Sequence, residues 1–191
     1  MGLWRRRWRW LGLAPLVIGI GVAYWTAQPD LLIGRDGVTV ALRIADGSLK
    51  LFRPAMDAYS ADEWLKRDGE DRTSDEAVAT RADGVSCDAL GCIAAALSVV
   101  KVADVLRPEA LPEDCAAVDI LVSAVPARRS CKGPKLVVDT FDVAHSNGYA
   151  VWFAPNFRTK TVEQARGRRP WSAQPKPRRF QYRRMRPTSL P

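Results

Sequence analysis

Histidine is almost absent from this sequence, which contains only His145 in 191 residues. A Ser–His–Asp or Cys–His mechanism would have to use that residue, and it lies in a turn-like run from Ala144 to Gly148. The H-E-x-x-H, G-x-G-x-x-G, Walker and G-x-S-x-G motifs are also missing. We therefore expect no catalytic residue, no metal ligands, no cofactor and no small-molecule substrate.

Carboxylates are the remaining source of hydrolytic chemistry. Asp119, Asp139 and Asp142 lie at predicted strand ends, and together with His145 they would be the candidates for a metal-dependent nuclease. The simpler interpretation is that these side chains cap strand ends and make turn hydrogen bonds. We favour the simpler interpretation and expect the protein not to be an enzyme.

Basic residues are concentrated at the two ends of the chain. The net charge is +8, from 29 Lys and Arg against 21 Asp and Glu. Twelve of the basic residues lie within residues 1–10 and 168–191, which hold no acidic residue, so residues 11–167 carry a net charge of −4. A basic groove across the folded part is therefore not expected.

The N-terminus has the pattern of a membrane anchor. Four basic residues lie among tryptophans, and the following residues 11–27 carry no charge. These basic residues are Arg5, Arg6, Arg7 and Arg9. About 17 uncharged residues is the short end of what spans a bilayer, and flanking arginines indicate the cytoplasmic side. We expect a cytoplasmic basic flank over residues 1–10, an inner-membrane helix over residues 11–27, and the remainder on the periplasmic side, with membrane lipid as a partner.

A cleaved secretory signal is the alternative, because a basic segment followed by a short apolar run is also that pattern. Its only acceptable cleavage triplet, Gly21-Val22-Ala23, is followed by the bulky Tyr24 and Trp25. Both interpretations place residues 28–191 outside the inner membrane.

The four cysteines are Cys87, Cys92, Cys115 and Cys131. An even count in an exported domain indicates two disulfides. Three pairings are open, and we favour Cys87–Cys92, which closes a short turn, and Cys115–Cys131. Zinc is the alternative, but the spacing lacks the close second pair of a zinc ribbon. Buried free thiols remain an option if the domain is not exported.

Residues 28–171 are predicted to form one mixed α/β (α+β) layered domain. Asp46-Gly47 between two short apolar runs predicts a hairpin, and the capping-box spacing from Ser60 to Glu63 predicts a helix that stops at Gly69. Further strands are predicted within residues 92–106, 119–125, 136–138, 149–154 and 159–162, and further helices at residues 75–79, 108–117 and 163–166.

Residues 172–191 change to Pro, Arg, Gln and Ser, a composition that predicts a basic disordered tail. Its arginines, interleaved with Phe180 and Tyr182, have the chemistry to contact DNA or anionic lipid. This suggests another alternative function, a membrane-tethered binding module. A merely solvated tail is the simpler interpretation.

Five segments carry a family resemblance. They are WRRRWRWLGLAPLVIG (4–19), PDLLIGRDGVTVALR (29–43), SCDALGC (86–92), EDCAAVDILVSAVPARRSCKGPKLVVDTFDV (113–143) and ARGRRPW (165–171). Taken in order, they resemble the C-terminal end of alphaproteobacterial ComEC-family competence proteins.

That resemblance implies a relationship to polytopic inner-membrane proteins that pass single-stranded DNA into the cytoplasm during natural transformation. It also implies a metallo-β-lactamase-like domain outside the membrane, which in many relatives carries a His/Asp metal motif associated with nuclease activity. Here the H-x-H-x-D-H type of motif is missing, so we expect a degenerate, catalytically silent domain over residues 28–171.

The channel helices of the family are missing as well. We therefore expect a C-terminal fragment, from a split or truncated gene or from a start inside a longer frame. Its role would be structural support of a DNA-uptake channel. Its partner would be the rest of that channel, and single-stranded DNA would be contacted only indirectly.

Overall fold

The computed structural model describes residues 13–25, 27–96, 100–153 and 157–167. In chain order the elements are α1 (Leu13–Trp25), β1 (Leu31–Ile33), β2 (Val40–Arg43), β3 (Leu49–Leu51), α2 (Ala58–Asp68), β4 (Val85–Cys87), β5 (Gly91–Ala96), β6 (Val100–Val105), α3 (Leu111–Ala117), β7 (Ile120–Ser123), β8 (Leu136–Val138), α4 (Thr140–Ser146), β9 (Tyr149–Trp152), β10 (Arg158–Thr161) and α5 (Val162–Arg166). The predicted mixed α/β class is confirmed. The flanking arginines Arg5, Arg6, Arg7 and Arg9 and the tail 172–191 lie outside the described residues.

Helix α1 lies within the predicted membrane segment 11–27. From Leu13 to Val22 its large apolar side chains are exposed, with Val17 at 63% and Ile18 at 66%. Among the described residues, no helix has the length and hydropathy needed to span a membrane. The transmembrane helix therefore stays a prediction.

Sheet A is antiparallel throughout, with strand order β10-β9-β1-β2-β3. The predicted hairpin around Asp46-Gly47 forms its β2–β3 pair, and Gly47 has the positive φ (87°) that this turn requires. The strand predicted within residues 159–162 is β10, which lies at one edge of this sheet.

Sheet B is mixed, with strand order β4-β5-β6-β7-β8. Strands β4, β5 and β6 pair in antiparallel fashion, whereas β6, β7 and β8 are parallel. The apolar run 92–106, predicted as one or two strands, forms two, β5 and β6. Because β6, β7 and β8 are parallel, their C-terminal ends lie together at one edge of the sheet, named here the carboxyl edge.

The main core lies between the two sheets. Sheet A contributes Leu31, Ile33, Val40, Leu42 and Val151, and Phe52 follows β3; sheet B contributes Val85, Cys92, Ala94, Val102, Ile120, Val122 and Val138. Each Val, Leu, Ile or Phe side chain among them stabilises the fold by about 1.5–3 kcal/mol relative to its exposed state. Period-two alternation along the strands places these residues on the inner faces.

Helices cover the outer faces. On sheet A, Ala61 and Leu65 of α2 pack over Ala41 and Leu51. On sheet B, Leu111 of α3 and the segment around Ala127 and Cys131 pack over Ala103, Val105 and Leu121. The described domain is therefore layered as helix, sheet, sheet, helix.

Two sequence expectations need correction. The N-cap of α2 is Asp57, three residues before the predicted Ser60 cap, because the Asp57 side chain accepts a hydrogen bond from the Ser60 amide. The predicted helix at residues 75–79 is a turn. The Ala77 amide donates to the Thr73 carbonyl, and Val78 then forms an isolated bridge with Leu51. The predicted stop at Gly69 is confirmed by its left-handed C-cap conformation.

Candidate functional site

The carboxyl edge of sheet B is the first place to look for function, because ligands of parallel sheets bind outside the C-terminal ends of strands. Asp104 near the end of β6, Ser123 at the end of β7 and Asp139 just after β8 lie at this edge. The loop between β1 and β2 approaches it as well, since a Cβ on Gly37 would lie 3.7 Å from a methyl carbon of Val143 in α4.

Asp139 and Asp142 form the capping box of α4. One oxygen of the buried Asp139 accepts from the Phe141 and Asp142 amides, at 3.0 and 3.2 Å, and the other accepts from the Ala127 and Arg128 amides. The Asp142 carboxylate accepts in return from the Asp139 amide. Both predicted acids therefore lie close together, and Asp139 fixes the loop after β7 to the start of α4.

Asp142 also pairs with a basic residue. Its Oδ1 lies 2.6 Å from an Arg128 guanidinium nitrogen, and the Arg128 side chain is 69% exposed. Partial burial raises the pKa of the Asp142 carboxyl, with a smaller opposing effect from the Asp139 amide. The carboxylate thus has one contact within the capping box and one contact with an exposed side chain.

His145 lies in the last turn of α4 rather than in a free turn. It is exposed, as expected, and its Nδ1 lies 2.6 Å from the Phe141 carbonyl oxygen. This local contact within the helix orients the ring along α4. No hydrogen bond joins the ring to another side chain among the described residues.

Asp119 lies at the opposite edge of sheet B. It precedes β7, where its carboxylate accepts from the Lys101 amide and pairs with the Lys135 ammonium at 3.1 Å. These contacts lower the pKa of the Asp119 carboxyl, the Lys101 amide having the larger effect. Since Asp139 follows the parallel strand β8, the structure does not bring Asp119 together with Asp139 and Asp142. Within the described residues no group of three or more His, Cys, Asp or Glu side chains has an arrangement that could hold a metal ion.

A buried ion pair between Arg53 and Asp104 was not anticipated from the sequence. Asp104 is fully buried, and a guanidinium nitrogen of Arg53 donates to its Oδ2. Burial raises the pKa of the Asp104 carboxyl to about 7, although the Arg53 charge acts in the opposite direction. Arg53 Nε and Asp104 Oδ1 are buried without a hydrogen-bond partner among the described residues. The sequence held one sign of this buried pair, because Asp104 is an acidic residue inside the otherwise apolar run 102–105.

The cysteines form the two disulfides that the sequence favoured. The structure pairs Cys87 with Cys92, across β4 and β5, and Cys115 of α3 with Cys131 in the loop after β7. The first pair lies beside Arg53, whose Nη2 is 3.6 Å from Cys92 Sγ. Because the four sulfurs form two disulfide bonds, none of them is available as a zinc ligand in this state.

A groove of about 850 Å³ lies on the outer face of sheet A between α2 and α5, and is named here the α2–α5 groove. Leu32 and Ala150, cross-strand neighbours on β1 and β9, line it together with Trp64 of α2. Its other lining residues include Arg35, Ser60, Tyr149, Lys160, Glu163 and Arg166. The three basic residues outnumber the single acid, so the groove is locally basic although residues 11–167 have a net negative charge. The overall charge count could not reveal this clustering.

Comparison with known proteins does not assign a family. No protein-family model matches the chain, and no curated protein or solved structure matches it. The resemblance to ComEC-family proteins therefore stays a prediction from the sequence.

Proposed function

We propose that this protein is a membrane-anchored, catalytically silent module that structurally supports a ComEC-type DNA-uptake channel. The proposal rests on one observation: the carboxylates at the strand ends make structural hydrogen bonds and ion pairs. Asp139 and Asp142 cap α4, and Asp119 binds Lys101 and Lys135 at the other edge of the sheet. The helix–sheet–sheet–helix order is compatible with the degenerate metallo-β-lactamase-like domain that the resemblance implies.

Support for the membrane role comes from α1. Leu16, Val17 and Ile18 are each more than half exposed. A helix that is apolar all round favours an apolar environment, and the arginines of residues 1–10 would lie next to anionic headgroups. The domain would then lie on the periplasmic side of an inner membrane, with the remaining channel as its partner and single-stranded DNA contacted only indirectly.

A cleavage assay tests the catalytic part of the proposal. The full chain in detergent is incubated with single- and double-stranded DNA in the presence of Mn²⁺ or Zn²⁺, and we expect no cleavage above a protein-free control. Metal-dependent cleavage that is lost in Asp142→Asn and kept in Asp119→Asn would instead establish a nuclease at the carboxyl edge. Circular dichroism of both variants checks that a loss is not unfolding.

The α2–α5 groove favours a second candidate function, a membrane-tethered binding module for an anionic strand. Grooves that bind single-stranded nucleic acid combine basic residues with aromatic side chains on which bases stack. Here Arg35, Lys160 and Arg166 supply the charge, and Trp64 and Tyr149 supply aromatic rings. The groove reaches Gly167, and four residues separate Gly167 from the basic tail in sequence.

Salt-dependent binding tests this second function. We expect Lys160→Gln with Arg166→Gln to reduce the slope of log K against log salt by about 1.4 for a fluorescent single strand, because each phosphate contact contributes about 0.7. The matched control is Lys101→Gln with Lys132→Gln, two exposed basic residues outside the groove. Equal slopes for the two double variants would exclude the groove. Deletion of residues 172–191 measures the separate contribution of the tail, and anionic vesicles replace the strand in a parallel series.

A further inference from the structure

The two cysteines of the Cys87–Cys92 disulfide differ in exposure. Cys87 is an exposed residue on β4, an edge strand of sheet B, whereas Cys92 is 4% exposed on β5. A thiol in solution can therefore approach Cys87 far more readily than Cys92. The disulfide therefore joins an exposed cysteine, Cys87, to a buried one, Cys92.

The buried side of this disulfide is lined by groups suited to a reduced sulfur. The Arg53 guanidinium lies 3.6 Å from Cys92 Sγ, close enough to stabilise a thiolate by its positive charge. The Phe52 carbonyl oxygen lies 3.3 Å from Cys87 Sγ and 3.6 Å from Cys92 Sγ, so it is placed to accept an S–H hydrogen bond. Arg53 Nε still lacks a partner among the described residues.

We propose that Cys87–Cys92 is a thiol-exchange site, at which an external dithiol attacks Cys87 and displaces Cys92 as a thiolate held by Arg53. The attacking thiolate forms a bond to Cys87 Sγ, the Cys87–Cys92 bond breaks, and its electron pair passes to Cys92 Sγ. The second thiol of the reductant, as its thiolate, then attacks its own sulfur in the mixed disulfide and releases Cys87 as a thiolate, which takes a proton from water. The reductant becomes a disulfide and the protein gains two electrons. This inference is independent of the proposed function.

Asp104 provides the charge compensation for this exchange. In the disulfide state the Arg53 guanidinium is bound to Asp104 Oδ2. When Cys92 becomes a thiolate, it competes for the same guanidinium, and Asp104 takes up a proton as it loses its partner. The raised pKa of the Asp104 carboxyl makes that uptake accessible near neutral pH. Reduction would thus loosen the contact between Arg53, which follows β3, and β6.

The second disulfide is an internal control. Cys131 is 3% exposed, and Cys115 packs against the apolar cluster of α3. No guanidinium contacts either sulfur within the described residues. The reduction rates of the two disulfides can therefore be compared in one molecule. Only Cys87–Cys92 has the exposed cysteine and the neighbouring guanidinium.

The test is timed reduction of the full chain in detergent by dithiothreitol, followed by alkylation and peptide mass spectrometry. We expect Cys87–Cys92 to open at least about tenfold faster than Cys115–Cys131, and Arg53→Gln to slow it by about tenfold, because a more basic leaving thiolate departs more slowly. Arg53→Lys should retain most of the rate. Equal rates for the two disulfides, or an unchanged rate in Arg53→Gln, would overturn the assignment.

Two further measurements keep the assignment testable if Arg53→Gln does not fold. Arg53→Gln combined with Asp104→Asn removes both charges together and should open as slowly as expected for the single variant. In the unmodified protein, glutathione should form its mixed disulfide on Cys87. A mixed disulfide found mainly on Cys92 would contradict the proposed direction of attack.

Discussion

At the scale of single residues, Asp104 is the most unusual group in the described domain. Its side chain is fully buried between the sheets, and one of its oxygens has no hydrogen-bond partner among the described residues. Taking a carboxylate out of water is costly, and a single guanidinium compensates only in part. This explains why the pKa of Asp104 is raised to about 7 even beside Arg53.

The raised pKa predicts a pH-dependent stability. Between the ordinary value of 3.8 and about 7 the folded state binds more protons at Asp104 than the unfolded state does. The free energy of unfolding should therefore fall as the pH rises through this window. Asp104→Asn should make that fall shallower, as measured by urea unfolding at several pH values. Asp114 and Asp142, whose pKa values are also raised by burial, leave a residual slope.

Asp119→Asn is the matched control for this measurement. The pKa of Asp119 is lowered from 3.8, so its contribution to stability is present above that value and is lost only as the pH falls below it. Its substitution should leave the slope between about pH 4 and 7 unchanged. A slope that responds equally to both variants would contradict the assignment to Asp104.

The contacts of a single residue could be predicted from the sequence only where its hydrogen-bond partner is close to it along the chain. For Asp139 and Asp142 the sequence indicated local turn hydrogen bonds, and their partners do include neighbouring amides. The helix α4 that they cap was not predicted. The partner of Asp104 is Arg53, which is 51 residues away and reaches it only when the two sheets pack together. No spacing rule in the sequence could bring that pair together.

At the scale of elements, an ion pair joins α2 to sheet A. The Arg43 guanidinium on β2 makes two hydrogen bonds to the Asp68 carboxylate at the end of α2, at 2.8 and 2.5 Å. The two side chains are only 12% and 9% exposed. We expect Asp68→Asn to lower the free energy of unfolding by about 2 kcal/mol, because a charged hydrogen-bonding partner is lost. Chemical denaturation measures this value.

Glu63→Gln on the same helix is the control. Glu63 pairs with Arg67 one turn along α2, and these side chains are 42% and 77% exposed. Such exposed pairs contribute about 0.5 kcal/mol or less. If Glu63→Gln destabilised the domain as much as Asp68→Asn, the difference in burial would not explain the effect.

The Cys115–Cys131 disulfide fixes α3 to the loop after β7. Its cysteines are 16 residues apart, and closing a loop of this length stabilises a fold by about 3 kcal/mol through the unfolded chain. We expect the double variant Cys115→Ser with Cys131→Ser to lose about that amount, as measured by denaturant unfolding. The corresponding double variant at Cys87 and Cys92, 5 residues apart, should lose about 2 kcal/mol. Equal stability of the unmodified protein with and without reductant would contradict both values.

Elements were predictable where a local signal existed. Asp46-Gly47 defined the β2–β3 hairpin, and apolar runs located β7 and β8. The start of α2 was missed because Asp57 caps it from outside the capping box that was considered. The turn at residues 75–79 was mistaken for a helix because the bridge from Val78 to Leu51 on β3 is a tertiary contact.

At the scale of the whole molecule, two sheets share one core and a helix covers each outer face. The order of predicted strands and helices indicated a mixed domain, but not which strands join which sheet. The first and ninth strands, for example, pair across more than 100 residues of sequence. The α2–α5 groove depends on this long-range pairing, because β1, β9, β10 and two helices all contribute to it. Its basic character was therefore hidden in the overall charge count.

The central claim is a supporting role at the membrane. The most direct measurement is to tag the C-terminus at the native locus, separate membranes from the soluble fraction, and extract the membranes with alkaline carbonate before blotting. We predict a tagged band that stays in the carbonate-resistant pellet and cross-links to a polytopic channel protein or forms part of one. A band found in the soluble fraction, or released by carbonate without any cross-linked partner, would contradict the claim.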